Sequence, residues 1–219
     1  MHLNIRKILQ DITVNMPYTY PSIIHDSLND SYTILDIGCG NGHLMSMINS
    51  NKELLVTGVD LFQPYLDNAK KTGCYKKLIK MDIRKLRFDE ASFDCVLSSH
   101  VVEHFRKEDA FEQIKIMEKI AQKKIIIGTP NGYFPQDPYD GNDLQEHFSE
   151  WGAEDFEKLG FRVYGQGAKF IYGYRGLLNG WMGSFLVTRF FLFFLSYLLS
   201  PIIYNYPRYS LYLIAVKKK

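Results

Sequence analysis

With 219 residues and a formal net charge of +2, the chain is long enough for one domain with a sizeable core, and its charge argues against a broad nucleic-acid-binding face. The three cysteines, Cys39, Cys74 and Cys95, lie in unrelated segments without metal-ligand spacing, which fits a reducing compartment and not a disulfide scaffold. Arg6, Lys7, Gln10, Asp11 and Asn15 interrupt residues 1–20, so no secretory signal core is read there and a cytoplasmic location is expected.

Residues 1–30 carry two modest helical patterns, split by Pro17 and Pro21, and form a helical leader to the first strand. Thr33–Ile37 is a short apolar run with β-branched residues, the pattern of a buried strand. Gly38, Gly40 and Gly42 follow at alternate positions, and an apolar-periodic helix runs over Leu44–Ile48. A strand, a glycine turn and a helix bring bare backbone and a helix N-terminus up to a ligand. A second strand, Leu54–Val59, ends at Asp60, 18 residues beyond Gly42. An acid at that distance is placed to hold ribose hydroxyls, which points to a nucleoside ligand.

Pro64 opens a helix to about Lys71, and Tyr75–Met81 is a third strand ending at Asp82. Phe93–Ser99 is a fourth strand, and Glu108–Gln122 puts Phe111, Ile114, Met117 and Ile120 on one helical face. Lys124–Gly128 is a fifth strand. Strands alternating with helices imply an α/β architecture with a mostly parallel sheet covered on both faces. Ligands bind outside the carboxyl ends of such strands, where Asp36, Asp60, Asp82 and Ser98–His100 all fall. Beyond lie a long loop over Thr129–Glu150, a short helix over Ala153–Leu159 stopped by Gly160, a strand over Phe161–Ala168, a hydrophobic insertion over 169–207 and a last strand over Tyr209–Val216.

The glycine pattern is Gly-x-Gly-x-Gly, not the Gly-x-Gly-x-x-Gly of pyrophosphate binders. Asp-Ile-Gly-Cys-Gly-Asn-Gly over 36–42, then Gly-Val-Asp over 58–60, then Asp82, then Phe93–His104 together resemble a class I S-adenosylmethionine-dependent methyltransferase. The resemblance covers roughly residues 30–168. It implies a three-layer Rossmann-like fold whose seven-stranded sheet is mostly parallel with an antiparallel last strand. It also implies S-adenosylmethionine as cofactor and S-adenosylhomocysteine as product. Gly38, Cys39, Gly40 and Gly42 would face the methionine part, with Asp36 near its amino group. Asp60 and Leu61 would lie at the ribose, Asp82 and the backbone of Ile83 at the adenine, and Ser98 beside the cofactor.

Methyl transfer from a sulfonium needs alignment and exclusion of water more than activation, so a base matters only when the acceptor must lose a proton. The candidate bases are His100, His104 and His147, with His147 placed first. Its loop concentrates Asn131, Gln136, Asn142, Gln145 and Trp151, a polar set that reads as an acceptor-binding wall. No metal is expected, although Asp137, Asp140 and His147 are weighed as ligands.

Residues 177–207 stand apart. Phe185–Ser200 is apolar nearly all round if helical, with Arg189, Ser196 and Ser200 as a narrow polar stripe. Such a helix spans roughly 24 Å, short of the ~30 Å hydrocarbon core, and Pro201 interrupts it. Exposed, it would favour peripheral contact with the inner membrane face, with Arg175, Arg189, Arg208 and the Lys217–Lys219 tail at anionic headgroups. A homodimer interface and a lid over a lipid-like acceptor are the alternatives. The expected reaction is methyl transfer to a small-molecule or lipid-linked acceptor, at oxygen. A catalytically silent subunit of a membrane or complex is the first rival. A nicotinamide-dependent reductase is the second, and the glycine spacing argues against it.

Overall fold

The computed structural model describes residues 12–138, 140–180 and 184–219. Seven strands form one sheet: β1 Thr33–Ile37, β2 Leu55–Asp60, β3 Lys77–Lys80, β4 Phe93–Ser99, β5 Ala121–Pro130, β6 Arg162–Ala168 and β7 Ser210–Lys218. Their order is β3-β2-β1-β4-β5-β7-β6, with β7 antiparallel to both neighbours and the other pairs parallel. The order reverses at β1, between β2 and β4, which opens a crevice at their carboxyl ends.

Alternation along the strands builds a core on each face. Leu35 and Ile37 pack with Ile114, Met117 and Ile120 of helix Lys107–Ile120 and with Phe156. Ile34, which precedes them in sequence, packs on the opposite face with Ile23, Ile24, Met45 and Ile48. Full burial of each such side chain contributes about 1.5–3 kcal/mol. Helix Tyr20–Ser27 of the leader therefore belongs to the domain core; the leader up to residue 11 lies outside the described residues. Thr19 caps that helix by accepting from Ser22 N at 3.2 Å. At its other end the buried ammonium of Lys124 donates to Ser27 O and Asn29 O.

β5 starts at Ala121, three residues before the expected Lys124, because Ala121 pairs with Phe93 across an irregularity in the β4 ladder. The preceding helix consequently ends at Ile120, and Ala121 is already extended. Between β6 and β7 run helices Lys169–Tyr172, Leu186–Leu198 and Ser200–Asn205, with Pro201 opening the last. A small satellite core of Ala168, Ile171, Leu192 and Ile203 anchors them. Among the described residues no helix is long and apolar enough to cross a membrane.

Helix Leu186–Leu198 buries only a narrow face, Leu192 and Ser196, and leaves most of its apolar residues outside. Ser196 and Ser200 face inward, and Ser196 Oγ accepts from Ala168 N at 3.3 Å. Phe190, Phe191, Phe193 and Phe194 point out, each at least 58% exposed. The terminal lysines correct the expectation of a tail at headgroups. Lys217 Nζ lies 2.7 Å from Glu118 Oε1, and Lys219 Nζ donates to Glu118 O and Ala121 O. Both are tied to the end of helix Lys107–Ile120 because β7, antiparallel to β5, delivers its last residues to the start of β5.

Candidate active site

A cavity of about 830 Å³ opens at the carboxyl ends of β1, β2 and β4. One wall is backbone. Gly38, Gly40 and Gly42 hold φ of 67°, 53° and 74°, the left-handed region that glycine adopts without strain. A Cβ on Gly38 would collide with Val101 Cγ2, and one on Gly42 with the Tyr75 ring and Ala69. A Cβ on Gly40 would meet nothing, so there the bare backbone faces the cavity.

Two acids flank that wall. Asp36 is 5% exposed and accepts from Tyr75 Oη at 2.7 Å. Burial pushes its carboxyl up to about 7; the tyrosine opposes the shift, and the charge of Asp60 adds to it. Asp60 ties the glycine loop to β2, its two oxygens accepting from Gly40 N and Phe62 N at 2.9 Å each. Burial raises its pKa, and the N–H donors of Phe62, Gly40 and Leu61 oppose the rise. Each Asp60 oxygen keeps a lone pair for a hydroxyl.

These residues fit S-adenosylmethionine. The glycine backbone would leave room for the methionine chain, Asp36 would offer a carboxylate to its ammonium, and Asp60 would accept from ribose hydroxyls. Cys39, Leu61 and Ile83 also line the cavity. Burial pushes the Cys39 thiol up, so it stays a neutral wall. Asp82 lines the cavity too, but its carboxylate is gripped by Arg84, with Nε at 2.8 and 3.1 Å and Nη2 at 2.7 Å. The side-chain bond to Arg84 holds its pKa below the ordinary range. An adenine there would meet the Ile83 segment beside an Asp82–Arg84 pair, not a free carboxylate.

The opposite wall carries His100, at the end of β4. Its φ of 56° is unusual for a side-chain-bearing residue and is held by a hydrogen bond from His100 N to Gly128 O at 2.8 Å. Its Nδ1 lies 3.3 Å from Oε1 of Glu103, whose side chain is 2% exposed. Burial pushes Glu103 up, but the nearby His100 ring and the charges of His100 and His104 outweigh it, so the carboxyl sits below its ordinary value. The His100 ring rests against Tyr20 and Tyr212, with centroids at 5.3 and 5.1 Å. Tyr20 Oη meets Ser99 Oγ at 2.8 Å, and a Cβ on Gly128 would occupy the place of that hydroxyl. Burial keeps Tyr20 neutral.

Several expected residues lie elsewhere. Ser98 is fully buried on the β4 face of Val96, one residue out of phase, and Ser99 lines the cavity instead. Trp151 is 1% exposed and stacks on Phe156 at 4.9 Å, so it is a core residue. Asn131 donates to the carbonyls of Pro207, Arg208 and Ser210, locking the insertion's end to β5. Gln136 donates to Gln145 O within the loop. Asn142 caps the turn Asp143–Gln145 yet lines the cavity, as do Gln145 and His104. His147 does not line it. Its Nδ1 donates to Phe134 O at 2.6 Å, its ring lies 4.9 Å from that of His104, and burial lowers its pKa. The His-x-x-Glu spacing at 100–103 was a readable sign of the His100–Glu103 pair; nothing in the sequence pointed to Tyr20.

Residues 35–121 match the family model of a methyltransferase domain. A protein of Encephalitozoon cuniculi that carries a methyltransferase name is 26% identical over 149 residues, 63% of this chain and 68% of that protein. Among solved structures, an S-adenosylmethionine-dependent methyltransferase from Archaeoglobus fulgidus superposes with a TM-score of 0.54 at 18% identity, over 92% of this chain and 95% of that one. The 1,6-didemethyltoxoflavin N1-methyltransferase of Burkholderia thailandensis, solved with its substrate and S-adenosylhomocysteine, gives 0.56 at 17% identity over 98% and 81%.

Proposed function

We propose that this chain, a class I Rossmann-like methyltransferase that uses S-adenosylmethionine, methylates an oxygen of a small-molecule or lipid-linked acceptor, with His100 as the base. The observation that carries the oxygen reading is the His100–Glu103 pair. A hydroxyl acceptor must lose its proton as it attacks, whereas a neutral amine can attack first. His100 lies on the cavity wall, and a buried carboxylate stands 3.3 Å from its Nδ1. That orientation leaves Nε2 to accept a proton, and Glu103 stabilises the imidazolium that results.

The bound cofactor supplies a methyl group on a sulfonium, which needs no further activation. The chain's own part is to orient and to exclude water. Asp36, Asp60 and the glycine backbone fix one reactant, while His100, His104, Asn142 and Gln145 border the space left for the other. The test is transfer of labelled methyl from S-adenosylmethionine to hydroxyl, amine and thiol forms of candidate acceptors. Labelling of the hydroxyl forms supports the reading, and labelling confined to amines refutes it.

The outward face of helix Leu186–Leu198 favours a second element, contact with an anionic membrane surface. A cavity of about 610 Å³ is lined by Lys169, Arg175 and Arg208 among Phe170, Tyr174 and Tyr209, with no acid on its wall. Cations beside exposed aromatics and phenylalanines suit an interface of headgroup and acyl chain. Flotation with anionic liposomes checks this. The intact chain should float and a variant lacking residues 181–204 should not; a soluble dimer would favour the homodimer alternative instead.

A further inference from the structure

We propose that Glu103, His104 and His147 bind one divalent first-row transition-metal ion behind the acceptor wall of the cavity. One ligand atom from each lies within 4.8 Å of the others. Donors facing each other across an ion with bonds of ~2.1 Å are at most about 4.2 Å apart, so binding needs only a small inward movement of side chains.

Three details of the surroundings support the assignment. First, both imidazoles are set as ligands. His104 Nδ1 lies 2.9 Å from Glu146 O and His147 Nδ1 lies 2.6 Å from Phe134 O. A carbonyl can only accept, so each Nδ1 carries the proton and each Nε2 presents a lone pair. Metal-bound histidines are oriented by this same outer contact to a backbone carbonyl. Second, Glu103 is oriented in a corresponding way. Its Oε2 accepts from Thr129 Oγ1 at 3.1 Å, while Oε1 is buried and without a hydrogen bond among the described residues. His100 Nδ1 stands 3.3 Å from Oε1 without hydrogen-bond geometry. A fully buried carboxylate oxygen left that way is costly unless a cation shares it.

Third, the two rings meet edge to face, with centroids 4.9 Å apart, and such a close imidazole pair gains a common partner from an ion between its nitrogens. Two nitrogens and one carboxylate oxygen suit Zn²⁺, Fe²⁺, Mn²⁺ or Co²⁺ better than Mg²⁺ or Ca²⁺, which favour all-oxygen sets. Three protein ligands leave positions open, and one of them, His104, also lines the main cavity. Resting on the oxygen-acceptor reading, an acceptor hydroxyl is the ligand that would complete the shell.

The test needs neither cofactor nor acceptor. The whole chain, stripped with a chelator, is titrated with Co²⁺ followed by visible absorption and with Mn²⁺ followed by electron spin resonance. One ion per chain is expected, with the intensity of an imidazole-ligated Co²⁺ site. Glu103→Gln and His147→Gln should each weaken binding at least tenfold, while His25→Ala and His43→Ala, both exposed and outside the triad, leave it unchanged. Far-ultraviolet circular dichroism checks that each variant is folded, and a rise in wild-type melting temperature with added metal gives a readout independent of the variants. No saturable binding to the wild type overturns the proposal. So does binding that survives both substitutions at the triad, or that is lost with His25 or His43. Methyl transfer that fails with every hydroxyl acceptor while one ion still binds would refute the oxygen reading and leave the metal site standing.

Discussion

The two walls of the cavity were assembled from different kinds of sequence. The cofactor wall comes from strand ends and a glycine turn, and there the expected residues Asp36, Gly38, Cys39, Gly40, Asp60, Leu61 and Ile83 do line the cavity. The acceptor wall was expected from a loop dense in polar side chains, and much of that density is spent on backbone carbonyls of the loop and of the insertion's end. Asn131 holds three carbonyls, Gln136 holds one and His147 holds another. A long segment without a ladder leaves backbone groups that need partners, and polar side chains supply them. Composition therefore marks where a loop must satisfy itself, whereas spacing relative to a strand end marks where a ligand meets the chain.

The contrast can be broken at both walls. The largest effect is expected at Trp151, assigned here to the core. Trp151→Ala should cost about 3–5 kcal/mol of stability, read by urea denaturation, with cofactor affinity of the folded fraction unchanged. A stable variant with a raised acceptor KM would return Trp151 to the acceptor wall. At the cofactor wall, Asp60→Ala should weaken cofactor binding at least tenfold by calorimetric titration, since it removes a charged acceptor worth about 1.5–3 kcal/mol per bond. Unchanged affinity would mean that β2 does not end at the ribose.

Asp36 gives a smaller, pH-dependent effect. Its folded pKa is raised to about 7, mainly by burial, so the folded chain takes up a proton there that the unfolded chain releases near pH 3.8. The contribution of Asp36 to stability is therefore full below the unfolded value and is lost as pH rises through about 7. Cofactor affinity should move the other way, because a ligand ammonium favours the carboxylate. Titrations at about pH 6 and about pH 8 should show tighter binding at the higher value, and Asp36→Asn should flatten the difference. Equal slopes in the wild type and Asp36→Asn would place the ammonium elsewhere.

How much of this was legible followed from the range of each interaction. The sheet and its carboxyl-end acids could be read because apolar alternation and glycine spacing are local. The direction of helix Leu186–Leu198 could not. A segment apolar nearly all round gives no preferred face, and the burial of Leu192 and the bond from Ala168 N to Ser196 Oγ show which face is the inner one. Tyr20 reaches Ser99 across 79 positions, and His147 meets His104 across a loop whose path no periodicity fixes. Ser98 was misplaced by one residue, which in a strand means the opposite face.

Oxygen methylation depends on a base at the acceptor wall, and His100 is the residue proposed for it. The most direct measurement is single-turnover methyl transfer by His100→Ala, at saturating S-adenosylmethionine and with a hydroxyl acceptor that the wild type labels. The rate is expected to fall by about 10²-fold or more, with calorimetric cofactor affinity unchanged. A variant that transfers methyl at the wild-type rate, or that loses cofactor affinity in proportion to its rate, would contradict the assignment of His100 as the base.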